Sequence, residues 1–302
     1  MTLWILVIIL AYFFFALSSI GDKVILSGPP NPKSYTFFVG LLGLAAVLFI
    51  PFVNFSAPNL STAFWIALDA IIFVLAMYVG FWAVEYFEVS KVAITIGATQ
   101  PIFIFFVSWM FFGYQKLSPM ALVAFIFLMA GSIFISLDKK IELNFKYFQF
   151  TLLSSVLYSF DYVISKIIYN NIHFSSGFIW RSIFVAITVL FFLLSKKNRR
   201  EIFKKQKSEK KQKKTEKIFF VTQACGGTAS VLQSFAISLT PVAFLPILNS
   251  LKGVQYVFIF IMTAFFSYFF PRVLKEKLSR GIIRRKVFSI ILISIGLILV
   301  FI

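Results

Sequence analysis

Ten apolar stretches of about twenty residues each divide the chain, and they constrain its fold more than any other feature. In a bilayer a helix satisfies its own backbone hydrogen bonds, and about twenty residues carry it across. We therefore predict an all-α polytopic membrane protein with ten transmembrane helices. Their approximate limits are 3–20, 35–53, 63–83, 92–112, 119–137, 148–168, 176–194, 218–238, 242–269 and 284–302.

The composition of the 302 residues agrees with a membrane protein and argues against several other classes. Hydrophobic residues make up 60% and charged residues 13% of the chain, whereas soluble domains hold about 45–50% apolar and about 25% charged residues. One cysteine and one histidine offer no cluster of metal ligands. No phosphate-binding loop is present. We expect no metal, no cofactor, no ATP-driven transport and no enzymatic activity.

The two halves of the chain resemble each other. The segment AVEYFEVSKVAITIGATQPIF parallels FAISLTPVAFLPILNSLKGVQYVF, and MAGSIFISL parallels ISIGLILVF. Each half holds five predicted spans, an odd number, so the second half would lie upside down relative to the first. Inverted repeats of this kind occur in many secondary transporters. We predict two inverted five-helix repeats, at 1–140 and 141–302.

Basic residues are concentrated in loops of one parity. The predicted first, third, fifth, seventh and ninth loops hold 2, 1, 3, 12 and 7 Lys or Arg residues, the ninth being counted through Lys286, whereas the even loops hold Lys116 alone. Cytoplasmic loops carry such an excess. We therefore predict a plasma (inner) membrane protein whose basic loop 196–217 is cytoplasmic and whose termini are outside. Phe203 is the single aromatic residue of the basic run, which disfavours nucleic-acid binding and favours contact with anionic lipid heads.

Lys252 lies about ten residues into the predicted ninth span, too deep to reach an interface easily. Gln100 is its approximate counterpart in the first repeat. Each is followed by a residue that loosens a helix, Pro101 or Gly253, and we interpret these two as hinges. Loosened helices at matching places in inverted repeats indicate a substrate site near the bilayer midplane.

Asn249 and Gln255 lie within a turn of Lys252 and could hydrogen-bond a solute there. Lys252 itself has two interpretations: a cation that binds an anionic group in a cavity, or a member of a buried ion pair with Asp69 or Asp161. Both aspartates are candidates for a proton-coupling carboxylate, and Asp161 is also a candidate for substrate contact. Either aspartate could instead neutralise a basic residue.

The other charged candidates lie nearer the predicted membrane faces. Lys23 and Lys166 occupy matching places in the two repeats and could each reach an interface, and Lys166 is also a candidate for substrate binding. Glu85 could pair with Lys23. Arg181 and its neighbour Trp180 either anchor an interface or line the substrate site, and the aspartates could neutralise Arg181 as well as Lys252.

Two long segments resemble a known family. They are FEVSKVAITIGATQPIFIFFVSWMFFGYQKLSPMALVAFIFLMAGSIFISL and the ending KEKLSRGIIRRKVFSIILISIGLILVFI. Together with the two five-span halves, they resemble the EamA-type branch of the drug/metabolite transporter superfamily. Pro101, Gly131, Glu276 and Gly296 fit the loose family pattern, whereas Gln115 stands where an acidic residue is expected.

The resemblance implies a secondary-active transporter or exporter of a small polar metabolite, amino-acid-like or another organic solute, that works by alternating access around a central cavity. Family members usually have both termini in the cytoplasm, whereas the charge distribution here places them outside. One alternative is an antiporter of phosphorylated or nucleotide-linked sugars, in which Lys252, Lys166 and Arg181 would converge on one anion. Another is a non-transporting membrane receptor or scaffold. The expected partners are the solute and membrane lipids, and the sequence leaves open whether the chain forms a homodimer.

Overall fold

The computed structural model describes residues 3–25, 32–86, 89–136, 145–203, 212–269 and 280–301, and within these ranges all regular structure is helical. The α-helices are α1 (Leu3–Ile25), α2 (Pro32–Leu42), α3 (Leu60–Tyr86), α4 (Val89–Phe112), α5 (Pro119–Ser136), α6 (Phe145–Asn171), α7 (Phe174–Leu190), α8 (Lys196–Ile202), α9 (Gln212–Leu239), α10 (Leu245–Ser250), α11 (Lys252–Phe269) and α12 (Arg280–Phe301). Short 3₁₀ helices follow α2 at Gly43–Phe52, follow α7 at Phe191–Leu194 and precede α10 at Val242–Phe244.

Seven helical segments in the described ranges are long and apolar enough to cross a membrane. They are Leu3–Gly21, Pro32–Phe52, Leu60–Ala83, Thr95–Phe112, Gln149–Asn171, Phe174–Leu194 and Val242–Phe265. The remaining stretches that the sequence predicts as spans coincide with α5, α9 and α12. The prediction of an all-α polytopic membrane protein is therefore confirmed.

Large apolar side chains lie on the outside of the helices. Leu48 is 74% exposed, Phe52 is 83% exposed and Leu60 is 89% exposed. Extended apolar surface of this kind would make a water-soluble monomer associate, whereas lipid tails solvate it. The exposed side chains therefore agree with a multi-pass membrane location.

Local sequence signals define the ends of several helices. The side-chain oxygen of Asn59 accepts a hydrogen bond of 2.8 Å from a backbone N–H three residues on, and so caps α3. Ser118 caps α5 in the same way, through a 3.1 Å bond from the N–H of Ala121, and Pro119 is the first helical residue. After α4, Gly113 has a φ of 72°, which glycine adopts without strain, so the chain can turn there.

The helices divide into two compact units, and each unit draws on both halves of the sequence. The first unit contains α1, α5 and α9–α12, and the second contains α2–α4 and α6–α8. In the first, α1 packs along α9 and against α11, while α5 packs along α12 and against α10 and α11. In the second, α3 packs along α6 and α7, and α2 packs against α3 and α7. The repeats at 1–140 and 141–302 concern internal similarity rather than compactness, and they stay a prediction.

Glycines allow α5 and α12 to approach closely. Gly131 of α5 lies against the backbone of α12, near Ile293, and Gly296 of α12 lies against the backbone of α5, near Leu128. Small residues at helix contacts are the usual means of close packing in membranes, because lipid tails supply no hydrophobic drive for helices to associate. These glycines fix α5 against α12, and α11 packs beside them.

Candidate functional site

The predicted ninth span consists of two helices rather than one. α10 ends at Ser250, Leu251 forms a turn, and α11 begins at Lys252. The N–H of Val254 donates to the carbonyl of Leu251 at 2.8 Å, three residues back instead of the four of an α-helix. The apolar segment is Val242–Phe265. The break therefore lies near the middle of the span.

Three hydroxyl groups bind backbone carbonyls around this break. Tyr12 of α1 donates to the carbonyl of Leu248 at 3.2 Å, and Ser132 of α5 donates to that of Ser250 at 3.1 Å. The hydroxyl of Ser250 donates to the carbonyl of Ile247 at 2.7 Å. A broken helix inside a membrane is tolerated where other groups satisfy its backbone. The packing of α1 and α5 thus supports the break.

Gly253, interpreted as a hinge from the sequence, lies in the first turn of α11 at a point of close contact. A Cβ at this position would overlap the hydroxyl of Ser132 and would lie 3.0 Å from Cδ1 of Ile293. A larger residue would therefore displace Ser132 from the carbonyl of Ser250. In the structure Gly253 lets α11 approach α5 and α12 immediately after the break.

Lys252 and Asn249 lie on either side of the break. Lys252 is half-buried and forms no ion pair with an acidic side chain in the described part of the chain. It is the first residue of α11, where the helix dipole adds positive partial charge. Asn249 is 1% exposed, and its Oδ1 has no hydrogen-bond partner among the described residues. The break thus combines positive charge with a buried, unused hydrogen-bond acceptor.

A cavity of about 130 Å³ lies beside α11 in the same unit. Tyr256 and Thr263 follow Lys252 at helical spacing, so the three side chains lie along one face of α11. Nε2 of Gln255 donates to the hydroxyl of Ser19 at 3.3 Å, which joins α11 to α1 next to the cavity. The lining residues are Ser19, Ile20, Ile135, Tyr256, Ile259, Phe260, Thr263 and Lys286.

In the second unit, Arg181 of α7 bonds two aspartates at once. Its Nε donates to Oδ2 of Asp69 on α3 at 2.5 Å, and its Nη2 donates to Oδ1 of Asp161 on α6. The guanidinium carbon also lies 4.5 Å from the ring centroid of Phe73, a cation–π contact. Asp69 is fully buried, and the side chains of Arg181 and Asp161 are each 12% exposed. Of the basic partners that the sequence left open, the structure pairs both aspartates with Arg181.

Trp180 has different surroundings from its neighbour Arg181. Its Nε1 donates to the carbonyl of Ser56 at 2.9 Å, and its ring stacks on Phe55 with the centroids 5.4 Å apart. Both contacts fasten the connection at 53–59 to the first half of α7. Trp180 therefore anchors a loop, while Arg181 lies among charged partners.

Gln100 and Pro101 belong to the second unit and lie in a continuous helix. The carbonyl of Gln100 accepts a 3.2 Å hydrogen bond from Ser159, and the hydroxyl of Thr99 donates to Ser155 at 2.8 Å. Pro101 is inside α4, which continues through it. The approximate counterpart of the broken ninth span is thus unbroken.

The remaining candidates are described in part. Lys166 lies on α6 and is 5% exposed. Lys23 and Glu85 lie on α1 and α3, but their side chains are outside the described residues, as are Glu276 and positions 204–211 of the basic loop. The pairing of Lys23 with Glu85 therefore stays a prediction.

Sequence reasoning did not single out Tyr12, Ser132 or Lys286. Tyr12 is the polar interruption of the run LAYFFFA, and Ser132 follows Gly131 directly. Such single hydroxyls are common in membrane helices, so neither stands out before its partner is known. Lys286 was counted with a basic loop, whereas it lines the cavity and lies 4.5 Å from the ring centroid of Phe260.

Comparison with known proteins shows a shared fold and no family. No family model and no curated protein matches the chain. Among 28 matching solved chains, one described as "Crystal structure of protein" superposes with a TM-score of 0.66 at 12% sequence identity. The match covers 97% of this chain and 96% of that chain. The fold is therefore shared over nearly the whole length, and this likeness carries no statement about activity.

Proposed function

We propose that the chain is a secondary-active transporter or exporter of a small polar metabolite that works by alternating access. The observation that carries the proposal is the interrupted ninth span, where Lys252 and Asn249 flank a helix break at mid-segment. Discontinuous helices at this depth form the substrate sites of many secondary transporters. A charge inside a span is costly to keep, and such residues usually serve a binding site or pathway.

The groups at the break favour a solute that carries both an anionic group and a hydrogen-bond donor. Lys252 and the N-terminal end of α11 would bind the anionic group. The buried Oδ1 of Asn249 would accept a hydrogen bond from an ammonium, hydroxyl or amide group. An amino-acid-like solute has both features, which supports this class as the substrate.

We further propose that ten helices cross the membrane as two inverted repeats. In such repeats, each span has a counterpart five spans away, and counterpart pairs of helices should pack alike. The counterparts of α1 and α9 are α6 and α3, and both pairs are in contact. The pairs α5–α12 and α2–α7 map onto themselves and also occur. This pattern supports the repeats at 1–140 and 141–302, and with them the EamA-type resemblance.

The proposed orientation places the basic loop 196–217 in the cytoplasm and both termini outside, in a plasma (inner) membrane. Within this loop α8 is held by the buried Ile202 and by a 2.7 Å ion pair between Lys33 and Glu201. These contacts leave a row of exposed basic residues, which anionic lipid heads would attract. The row is Lys196, Lys197, Arg199 and Arg200.

The described contacts do not favour the alternative of a phosphorylated or nucleotide-linked sugar. Binding a phosphate would require several cations with hydrogen-bond donors free to converge on it. Arg181 already bonds two aspartates through Nε and Nη2. A cation neutralised in this way offers little attraction to a second anion.

The test begins with a thermal-shift screen of the purified protein against amino acids, other carboxylates, sugars and phosphates. Each solute that stabilises the protein is then followed as a radiolabelled substrate in proteoliposomes. Lys252→Gln is expected to weaken uptake about 10- to 100-fold, which corresponds to the loss of one hydrogen bond to a charged group. Lys116→Gln, in the exposed connection between α4 and α5, is the matched control. Uptake at the wild-type rate by Lys252→Gln would reject this site.

A further inference from the structure

The contacts around Arg181 contain more negative than positive charge. We refer to Asp69, Asp161 and Arg181 as the acid–arginine triad. A guanidinium stays protonated in proteins, so two ionised carboxylates would leave a surplus of one negative charge. All three residues lie within apolar segments long enough to cross a membrane. A surplus charge at such a place is strongly unfavourable.

The two carboxyl groups of the triad share one partner. Oδ2 of Asp69 and Oδ1 of Asp161 accept from Nε and Nη2 of the same guanidinium, so Arg181 holds the two carboxyl groups close together. Two ionised carboxylates at this separation repel, and a proton between them converts the repulsion into a hydrogen bond. Asp69 is fully buried, yet its Oδ1 has no hydrogen-bond partner among the described residues. One added proton would satisfy both the charge balance and the hydrogen bonding.

Among the described residues, Asp69 and Asp161 have no ion pair with a basic residue other than Arg181, and the buried Lys166 of α6 is not paired with either of them. Tyr158 and Tyr169 lie on α6, the helix of Asp161, and both are neutral side chains at ordinary pH. From α2 come Lys33, which bonds a glutamate of α8 at 2.7 Å, and Tyr35, whose ring packs on a phenylalanine of α3. The 3₁₀ helix Gly43–Phe52 packs on α7 and has no ionisable side chain. In the described part of the chain, both carboxylates pair with the same basic residue, Arg181.

We infer that the acid–arginine triad is a proton-binding site in which Asp69 and Asp161 share a single proton beside Arg181. A hydronium ion transfers its proton to a carboxylate oxygen: one O–H bond of the hydronium breaks, one O–H bond forms at the carboxylate, water leaves, and the triad becomes neutral. Resting on the proposed function, this site couples solute movement to a proton gradient. The triad takes up its proton while it is open to the membrane side with the higher proton concentration. It releases the proton while it is open to the opposite side.

A proton fits the triad better than a metal cation does. Hard cations take about six or more oxygen ligands, whereas each carboxylate here already gives one oxygen to Arg181. A metal ion would also lie next to the positive guanidinium. A proton needs one oxygen and one acceptor, and two facing carboxyl groups provide both.

The test is infrared spectroscopy of the purified full-length protein as the pH is changed, with no solute present. A protonated carboxylic acid has a carbonyl stretch that an ionised carboxylate lacks. The wild-type protein is expected to show the band of one buried acid at neutral pH and to lose it in alkali. Asp69→Asn and Asp161→Asn are each expected to abolish the whole band, because the remaining carboxylate then forms a one-to-one ion pair with Arg181. Glu201→Gln, which changes an acid outside the apolar segments, is the control and should retain the band.

Several outcomes would overturn the inference. They are a wild-type protein without the band, a band that survives both asparagine substitutions, and a band lost in only one of them. Loss of the band on replacing choline with sodium at constant pH would show a metal-cation site instead. If one variant fails to fold, the other still tests the shared proton, because either substitution alone should remove it. The measurement needs no transport, so its failure is distinct from a failure of Lys252→Gln to affect uptake.

Discussion

Gly131 and Gly296 make the same contact in opposite directions. A Cβ on Gly131 would lie 3.0 Å from the backbone nitrogen of Ile293, and a Cβ on Gly296 would lie 3.0 Å from that of Leu128. The sequence separation between the two glycines equals the separation between Leu128 and Ile293. α5 and α12 therefore meet reciprocally, in the way that two equivalent helices meet across a two-fold axis.

Because the contact is reciprocal, we predict that alanine at either glycine destabilises the protein equally. Gly131→Ala and Gly296→Ala each force a methyl group against backbone atoms, which should cost about 1–3 kcal/mol. The measurement is thermal unfolding in detergent. Gly227→Ala is the control, since a Cβ there meets no atom within 4 Å, and alanine should be neutral or slightly stabilising in a helix. Glycine variants as stable as this control would contradict the close approach.

Replacing Arg181 with glutamine should be far more damaging than replacing an exposed arginine. The change leaves Asp69 and Asp161 without the cation that bonds both of them. Breaking a buried ion pair by removing one partner costs about 3–5 kcal/mol. Thermal unfolding measures the loss, and Arg199→Gln on the exposed side of α8 is the matched control. Equal stability of the two variants would show that the triad contributes little to folding.

Asn249 is predicted to serve binding rather than stability. Its side chain is buried with an unpartnered Oδ1, so Asn249→Leu removes a group whose burial is unfavourable. Stability should stay the same or rise. Affinity for the solute identified in the screen should fall about tenfold, the equivalent of about 1.4 kcal/mol. Thermal unfolding with and without solute measures both effects.

Asn171→Leu is the control for that substitution, because Asn171 is exposed at the end of α6. This variant should leave solute affinity unchanged. An unchanged affinity in Asn249→Leu as well would remove the amide from the proposed site.

The orientation predicted from charge can be tested with single cysteines. After Cys225→Ser, a cysteine is introduced by Ala57→Cys before α3 or by Lys197→Cys in α8, both at exposed positions. A membrane-impermeant maleimide should label the Ala57→Cys variant in intact cells and the Lys197→Cys variant only after permeabilisation. The reverse pattern would place the basic loop outside.

Hydropathy alone predicted the class of fold, because the physical requirement behind it is local. A run of about twenty apolar residues must satisfy its backbone within itself, so each predicted span is helical, although the ninth is divided into two helices. The partners of Arg181, by contrast, cannot be predicted from hydropathy. Its two aspartates come from α3 and α6, and the pattern of an apolar helix does not encode which helix lies beside it.

The broken span shows the same limit at a single site. Sequence reasoning expected loosening at both Pro101 and Gly253, yet α4 continues through its proline and the ninth span breaks at Leu251. Proline removes one backbone donor, and a membrane helix can accommodate that loss. At the break, the hydroxyls of Tyr12 and Ser132 also donate hydrogen bonds to backbone carbonyls near Leu251. These donors come from distant parts of the chain, so no local sequence motif predicts them.

Each compact unit contains helices from both halves of the sequence. The order of the helices along the chain therefore determines when each unit can assemble during synthesis. All helices of the second unit have been synthesised once Ile202 has been added, so that unit can close early. α1 precedes α9 and α11 in the chain, so it must wait for these two packing partners. Until the ninth span arrives, the hydroxyl of Tyr12 lacks the carbonyl of Leu248 to which it donates in the folded protein. A helix of the first half thus reaches its native neighbours only after much of the second half has been made.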